Sequence, residues 1–198
     1  MNFEQLLCHR RSIYSLNPIL PISANELSQL LTTALCQCPT AFNSQSGRIV
    51  LLLKQHHHKF WDIVFQELKP LLPQSQINKT QNKISSFSAG YGTILFFDDT
   101  LTIKELQNSY PLYSEHFPIW SEQSQGILQF IVWSLLAEHN IGASLQHYNP
   151  LINKAIEQVF NIPEQWHLSA QMPFGGISAP ADIKTFSNLD ERYKILDS

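Results

Sequence analysis

Thr93-Ile94-Leu95-Phe96-Phe97 is a continuous apolar run that ends at the acidic pair Asp98-Asp99. Apolar residues without alternation are typical of a strand that is buried on both faces of a sheet. Ile49-Val50-Leu51-Leu52-Leu53 has the same pattern. Together the two runs predict buried strands of a central sheet.

Helical patterns surround these strands in the sequence. Ser23-Ala24-Asn25-Glu26 is a capping box, and the apolar spacing after it predicts a helix that closes at Pro39. Other helices are predicted over about 57–72, from Thr102, over about 121–139 and from Pro150, with 73–83 as a loop leading into a short helix. Two more extended segments are predicted over 142–145 and 166–174. Because helices and strands alternate with no repeat and no linker, residues 1–198 are predicted to form one α/β or α+β domain.

The composition favours a buried subunit interface and argues against a nucleic-acid partner. Hydrophobic residues make up 43% of the chain and charged residues 15%, which leaves little polar surface for an independent monomer. The net charge is -3, whereas binding to nucleic acid needs clustered Lys and Arg to neutralise phosphates. The N-terminus has no basic start followed by an apolar core, and the longest apolar stretch, Phe130–Ala137, is too short to span a bilayer. We therefore expect a cytoplasmic protein with no membrane partner.

Two polar motifs predict a cofactor site. Arg10-Arg11-Ser12 can hold an anion, because a guanidinium presents several fixed donors to the oxygens of a phosphate. Pro39-Thr40-Ala41-Phe42-Asn43-Ser44-Gln45 carries amide side chains, each of which offers a donor and an acceptor to a planar polar ring. A cofactor with a phosphate and a heteroaromatic ring, such as flavin mononucleotide (FMN), needs both kinds of residue. The alternative is a solvated turn at the arginines and an ordinary loop at the polar run.

Three other clusters have both a structural and a functional interpretation. His56-His57-His58 could bind a metal, but adjacent histidines do not point at one centre, which favours a solvated helix start and no metal site. Cys36-x-Cys38 has no second pair nearby, and with Cys8 the number of cysteines is odd, so free buried thiols are favoured over a metal site or a redox pair. Tyr110 and its aromatic neighbours form either ordinary core or an apolar wall over a bound ring. In the second interpretation the candidate substrate contacts are Tyr113, Phe117 and Trp120.

Five stretches, in order along the chain, resemble the nitroreductase family of FMN-dependent oxidoreductases, and most closely its compact fatty-acid-repression-mutant-like subgroup. The resemblance implies an α+β fold of three layers, with a mixed or antiparallel central sheet flanked by helices, in an intertwined homodimer. The stretches are Arg10-Arg11-Ser12-Ile13-Tyr14, Phe42-Asn43-Ser44-Gln45-Ser46, Gly90-Tyr91-Gly92-Thr93-Ile94-Leu95-Phe96-Phe97, Gln146-His147-Tyr148-Asn149-Pro150 and Ala170-Gln171-Met172-Pro173-Phe174-Gly175.

The resemblance implies contacts to the phosphate side of FMN from both ends of the chain. In that family an Arg-x-Ser motif near the N-terminus contacts the flavin phosphate, ribityl chain and pyrimidine edge. The family also places a basic residue from late in the chain on the phosphate, and Lys184, nine residues after Gly175, is the match. The matching residues near the N-terminus are Arg10, Arg11, Ser12 and Tyr14.

A second family motif, the loop Pro-Ser-Ser-x-Asn-x-Gln, reaches across the dimer to the flavin of the other protomer. Ala41 has no hydroxyl, so the side-chain contact made by the family's serine is absent at that position. The remaining matches, which imply cofactor contacts, are Thr40, Asn43, Ser44 and Gln45.

In this fold the segment after the third predicted strand lies beside the reactive edge of the flavin. Lys83 is a candidate for stabilising the negative charge that reduction places on the pyrimidine end, and an exposed helix lysine is the equal alternative. The residues matching this segment and the end of the last strand are Gln146, His147, Tyr148, Asn149 and Gly175.

The resemblance implies an enzyme in which the flavin carries the chemistry and no side chain acts as a nucleophile. NADH or NADPH is the implied electron donor, and a flat, electron-poor nitroaromatic or quinone is the implied acceptor; both use one site in turn, which gives ping-pong kinetics. Two alternatives are a flavin-binding regulatory or stress-response module with incidental turnover, and a dimeric scaffold with an empty pocket. Arg10, Asn43 and Gln45 argue against the scaffold, because an interface alone does not require them.

Overall fold

The central sheet is antiparallel and is built around β3 (Gly92–Asp99). β3 pairs with β2 (Gly47–Leu53) on one side and with β5 (Trp166–Ile177) on the other. Two short strands, β1 (Leu16–Asn17) and β4 (Gly142–Ala143), pair with the C-terminal end of β5. The structure is a computed structural model that describes residues 1–197.

Helices cover both faces of this sheet, which gives three layers. Ile94 and Phe96 of β3 pack in one core cluster with α2 (Ala24–Gln37) and α6 (Phe117–Glu138). Leu95 and Phe97 pack in a second cluster with α3 (Lys54–Leu68), α4 (Gln74–Ser88) and α7 (Asn153–Phe160). These four side chains are almost completely buried, as the uninterrupted apolar run predicts. The predicted α+β class and antiparallel sheet are confirmed. The two other α-helices of the described residues are α1 (Phe3–His9) and α5 (Thr100–Ser109).

Capping side chains account for several helix starts. The predicted capping box of α2 is present: Glu26 N–H donates to Ser23 Oγ at 3.2 Å, and Ser23 N–H donates to the Glu26 carboxylate at 2.8 Å. α1 has no counterpart among the predicted helices, and Asn2 caps it in the same way with Gln5. α5 begins at Thr100 rather than Thr102, because Asp99 accepts the Leu101 N–H at 3.1 Å.

β2 differs from its prediction as a strand buried on both faces. Within the described chain β2 is an edge strand that pairs with β3, and of its apolar side chains Leu52 alone is fully buried. Ile49, Leu51 and Leu53 pack against the first core cluster and Val50 packs against the second. Helices therefore cover both faces of β2, and the open edge accounts for the remaining exposure.

The other element bounds also depart from the predictions. The loop predicted over 73–83 is wrong, because α4 already begins at Gln74. α6 begins at Phe117 rather than Ser121, with Pro118 in the first turn, where a missing N–H is tolerated. α7 begins at Asn153, after the predicted start at Pro150. β4 is two residues long, and β5 continues through its two glycines to Ile177.

No helix in residues 1–197 is long and apolar enough to cross a lipid bilayer. After β5, residues 178–197 form no helix or strand. This tail exposes several large apolar side chains, among them Ile183, Phe186, Tyr193 and Leu196.

Candidate functional site

Arg10 lies where α1 meets α6. The residue ends α1, with its backbone N–H donating to the Leu6 carbonyl at 2.8 Å. Its guanidinium carbon lies 4.3 Å from the centroid of the Trp133 ring on α6. Arg10 Nε is buried and has no hydrogen-bond partner within residues 1–197. Burial, and secondly the charge of Arg11, lower the pKa of Arg10 from its ordinary value.

The C-terminal tail passes beside Arg11, the residue that follows Arg10. Arg11 Nη2 donates to the Asp182 carbonyl at 2.6 Å. Lys184 follows two residues later; its side chain is exposed, and its Nζ lies 5.1 Å from the centroid of the Phe186 ring. The structure therefore brings Arg10, Arg11 and the segment that carries Lys184 into one basic region.

Ser12 lies beside β4, and Tyr14 follows two residues later in the chain. Ser12 forms an isolated parallel bridge with Ala143, and the next residue, Ile13, donates its N–H to the Ala143 carbonyl at 2.9 Å. Ser12 is half-buried, whereas Tyr14 is exposed. The N-terminal motif is therefore held beside the segment that leads to Gln146.

Gln171 organises the segment 146–149. Its backbone exchanges two hydrogen bonds with Gln146, at 2.7 and 2.9 Å. The Gln171 side chain accepts the Tyr148 N–H at 2.7 Å and donates to Asn149 Oδ1 at 3.0 Å. His147 is exposed, while burial raises the pKa of Tyr148 to about 12. Sequence reasoning missed this role, although Gln171 is the polar residue in the apolar run 170–174.

Gly175 lies further along β5, and close contacts within its own chain explain why the residue is small. A Cβ at Gly175 would collide with the Asn17 carbonyl oxygen of β1 and would lie 2.9 Å from the Tyr91 nitrogen. Gly175 pairs with Gly142 of β4. The contacts of Gly175 in this structure are therefore with neighbouring backbone of its own chain, and they account for the glycine without a cofactor.

The loop Thr40–Gln45 lies near the other end of α6. Thr40 Oγ1 accepts the Gln45 N–H at 3.1 Å, and the Arg48 side chain donates to the Gln45 carbonyl at 2.8 Å. Phe42, Asn43 and Gln45 have φ values of 56°, 52° and 49°, in the left-handed region that disfavours side chains. Strained backbone of this kind concentrates at functional sites.

Phe42 joins this loop to the predicted aromatic residues. Its ring centroid lies 5.2 Å from Phe117 and 6.0 Å from both Tyr113 and Trp120. Phe117 is buried, Trp120 is half-buried and Tyr113 is exposed, so the cluster is partly core and partly surface. Sequence reasoning missed Phe42 itself, although it is the aromatic residue within the polar loop. The adjoining cavity of about 420 Å³ is lined by Pro39, Thr40, Ala41, Phe42, Trp120 and Ile127, among others.

The predicted site residues thus form two groups that contact different parts of α6. Arg10 contacts Trp133, and the loop contacts Trp120 through Phe42. Trp133 follows Trp120 by thirteen positions, which is about 20 Å along the helix axis. A single chain does not bring the Arg10 group together with Asn43 and Gln45.

Lys83, the candidate for the pyrimidine end, is an exposed residue of α4. Its Nζ lies 5.8 Å from the centroid of the Phe87 ring. α4 packs on the sheet face opposite α6. Within the described residues, no hydrogen bond, ion pair or cation–π contact joins Lys83 to either group of predicted site residues.

The histidine and cysteine clusters have separate environments. His57 is buried, with Nδ1 2.8 Å from Thr93 Oγ1 and Nε2 3.1 Å from the Ser88 carbonyl, while His56 and His58 are exposed. No group of three or more His, Cys, Asp or Glu side chains in residues 1–197 is arranged to hold a metal ion. The prediction of buried thiols at Cys36 and Cys38 is wrong for Cys36, which is exposed, whereas Cys38 is half-buried; Cys8 is exposed as well.

Comparison with known proteins identifies the class. The model of the nitroreductase family matches residues 7–176, and the chain belongs to this family. Two proteins of Saccharomyces cerevisiae are similar over nearly the whole chain: HBN1 is 34% identical over 95% of this chain and 94% of its own, and nitroreductase FRM2 is 31% identical over 94% of each. These relatives confirm the predicted fatty-acid-repression-mutant-like subgroup.

Solved structures agree with this assignment. Nitroreductase CinD from Lactococcus lactis, in complex with nicotinic acid, has a TM-score of 0.91 and 42% identity, and the match covers 99% of this chain and 100% of CinD. CinD has also been solved with chloramphenicol and with 4-nitrophenol. A nitroreductase with bound FMN from Desulfitobacterium hafniense, at 14% identity and a TM-score of 0.73, covers all of both chains and shows the shared fold alone.

Proposed function

We propose that this protein is an FMN-dependent NAD(P)H oxidoreductase that reduces nitroaromatic or quinone-type acceptors. Membership of the nitroreductase family supports an oxidoreductase. The three CinD complexes support a flat aromatic ligand, because nicotinic acid, chloramphenicol and 4-nitrophenol each contain such a ring. The observation that carries the proposal is the buried, unpartnered guanidinium nitrogen of Arg10 in a basic region.

The residues present fit the phosphate of FMN. A buried donor without an acceptor costs free energy, so Arg10 Nε calls for an acceptor from outside the described chain. Arg11 and Lys184 add positive charge nearby, and the fixed fork of an arginine suits phosphate oxygens. We therefore assign the phosphate side of the cofactor to Arg10, Arg11, Ser12 and Lys184.

When bound, FMN supplies the electron and hydride transfer, and the chain's own residues bind and orient. The Phe42 cluster offers an apolar, aromatic surface on which a flat acceptor can stack. Since NAD(P)H and the acceptor then use one site in turn, the kinetics are expected to be ping-pong.

We also propose that the active unit is a homodimer, because one chain holds its two groups of site residues about 20 Å apart on α6. Gly126 lies near the midpoint between Trp120 and Trp133, and a Cβ there has no atom within 4 Å. Glycine in a helix interior costs stability, so an external neighbour is the simplest reason for one. Its surroundings on α6 are apolar and exposed: Ile119, Ile127 and Phe130.

An antiparallel pairing of two α6 helices at Gly126 brings the Trp120 end of one helix alongside the Trp133 end of the other. The Thr40–Gln45 loop of one protomer then lies at the same end as the Arg10 group of its partner. A two-fold axis makes both sites equivalent.

Purified protein tests the proposed function through its pigment. Acid-released flavin is expected to be FMN rather than FAD, and NADH or NADPH is expected to bleach the bound flavin before 4-nitrophenol or a quinone restores the colour. Flavin that bleaches only over hours would favour the regulatory module. Recovery of FAD, or of no flavin after reconstitution, would contradict the proposal.

A further inference from the structure

We propose that Trp133 is a positioning residue for the cofactor phosphate, because its indole ring holds the Arg10 guanidinium in place before the ligand arrives. This inference rests on the proposed function and assigns a role to a residue that the motifs do not include. Trp133 contributes no contact to the ligand in this account; it acts through Arg10.

The geometry is that of a cation–π contact. The guanidinium carbon of Arg10 lies 4.3 Å from the centroid of the Trp133 ring, well within the roughly 6 Å over which such contacts are attractive. Trp133 is half-buried on α6 and packs against the first core cluster, so the ring is itself held in place. A fixed ring under a long side chain restricts the rotamers of that side chain.

Within residues 1–197, Trp133 makes the only cation–π contact of the Arg10 side chain. No hydrogen bond from the guanidinium to residues 1–197 is present, and Nε is buried without an acceptor. Arg11 differs, because the Asp182 carbonyl holds its Nη2. Without the indole, ordering Arg10 on a phosphate would cost more side-chain entropy, and affinity would fall accordingly.

The presence of tryptophan at position 133, rather than another apolar residue, also supports a role for the face of the indole ring. Trp133 Nε1 is buried and has no acceptor in the described chain, so the indole N–H is a cost to packing. Phenylalanine would fill the core without this cost, but its ring attracts a cation less strongly. The cation–π contact accounts for a tryptophan at this position.

The test compares FMN with riboflavin, which has the same ring system and no phosphate. Flavin fluorescence gives the Kd of each ligand for the apo forms of the wild type, Trp133→Phe and Trp133→Leu. Trp133→Leu is expected to weaken FMN binding by ~3- to 30-fold, the range of a cation–π contact, and to leave riboflavin binding unchanged. Trp133→Phe is expected to restore part of the loss.

Trp166→Leu is a matched control, because Trp166 is also half-buried and has an arginine, Arg48, 5.9 Å above its ring. It is expected to leave the ratio of the two Kd values unchanged. In the double variant Arg10→Ala/Trp133→Leu, FMN binding is expected to be no weaker than in Arg10→Ala alone.

If Trp133→Leu and Trp133→Phe weaken the binding of FMN and of riboflavin by the same factor, the inference is overturned and the role of Trp133 is packing alone. Unchanged FMN binding in both variants would overturn it too. A wild-type protein that binds neither flavin would instead contradict the proposed function on which the inference rests.

Discussion

At the scale of single residues, His57 shows how the interior fixes a protonation state. The Ser88 carbonyl can only accept, so Nε2 carries the proton and Nδ1 accepts from the Thr93 hydroxyl. Trp61 Nε1 donates to the same hydroxyl oxygen at 2.9 Å. Burial lowers the pKa of His57 from 6.5 to about 4. The imidazole is therefore neutral and fully bonded at neutral pH.

This pKa predicts a loss of stability in mild acid. Because the unfolded chain binds the proton at pH values where folded His57 does not, the free energy of unfolding falls as pH drops from about 6.5 towards 4. The shift corresponds to roughly 3 kcal/mol at its full extent. Urea unfolding followed by circular dichroism between pH 4.5 and 7.5 measures the effect.

His57→Gln is expected to be less stable at pH 7 and to have a flatter pH dependence than the wild type. His58→Gln, at an exposed neighbouring position, is the control and should follow the wild-type curve. Parallel curves for the wild type and His57→Gln would show that other groups cause the acid sensitivity.

Arg10 and Lys184 give a prediction about the affinity for FMN. Under the proposed function, Arg10→Ala and Lys184→Ala each remove a charge-assisted contact to the phosphate, and each is expected to weaken FMN binding by about 1.5–3 kcal/mol. Lys154→Ala, on the exposed side of α7, is the control and should bind FMN like the wild type. Wild-type FMN affinity in both site variants, measured by calorimetry, would place the phosphate elsewhere.

At the scale of elements, the strongly patterned segments were predictable and the weakly patterned ones were not. β3 and α2 follow from an unbroken apolar run and a capping box. The full length of α4 could not be predicted in this way, because most of its side chains are polar and only Ile84 and Phe87 are buried. Packing against α3 stabilises such a helix, and this contact is not visible in a local pattern.

Replacement of Gly126 on α6 tests whether two α6 helices pack against each other at this residue. Gly126→Leu improves helix propensity by about 1 kcal/mol, and a Cβ at this position meets no atom within 4 Å apart from its immediate chain neighbours and the nearby backbone of its own helix. In a monomer the variant is therefore expected to be more stable than the wild type. In a dimer that packs at Gly126, it is expected to dissociate at higher concentration and to melt earlier.

Sedimentation equilibrium and thermal melting separate these outcomes. Gln66→Leu, on the exposed face of α3, controls for added surface hydrophobicity. A Gly126→Leu protein that stays dimeric with wild-type affinity would show that the α6 helices do not meet at this residue.

At the scale of the whole molecule, the motifs identify candidate residues of the site but not how the fold arranges those residues. Arg10 and Asn43 are recognisable from the sequence because each belongs to a family motif. Their separation along α6 depends on the helix that each motif contacts, which only the three-dimensional structure shows. Trp133 and Phe42 were missed for the same reason, since their neighbours are distant in sequence.

Mixed dimers test the central claim most directly. Arg10→Ala and Asn43→Ala/Gln45→Ala chains carrying different tags are co-expressed, and tandem affinity steps isolate the heterodimer. If the two chains share each site, the heterodimer has one doubly damaged site and one intact site, so about half of the wild-type activity should return while both parent homodimers remain impaired. A heterodimer as inactive as its parents, or full activity in a monomer, would show that each chain builds its own site.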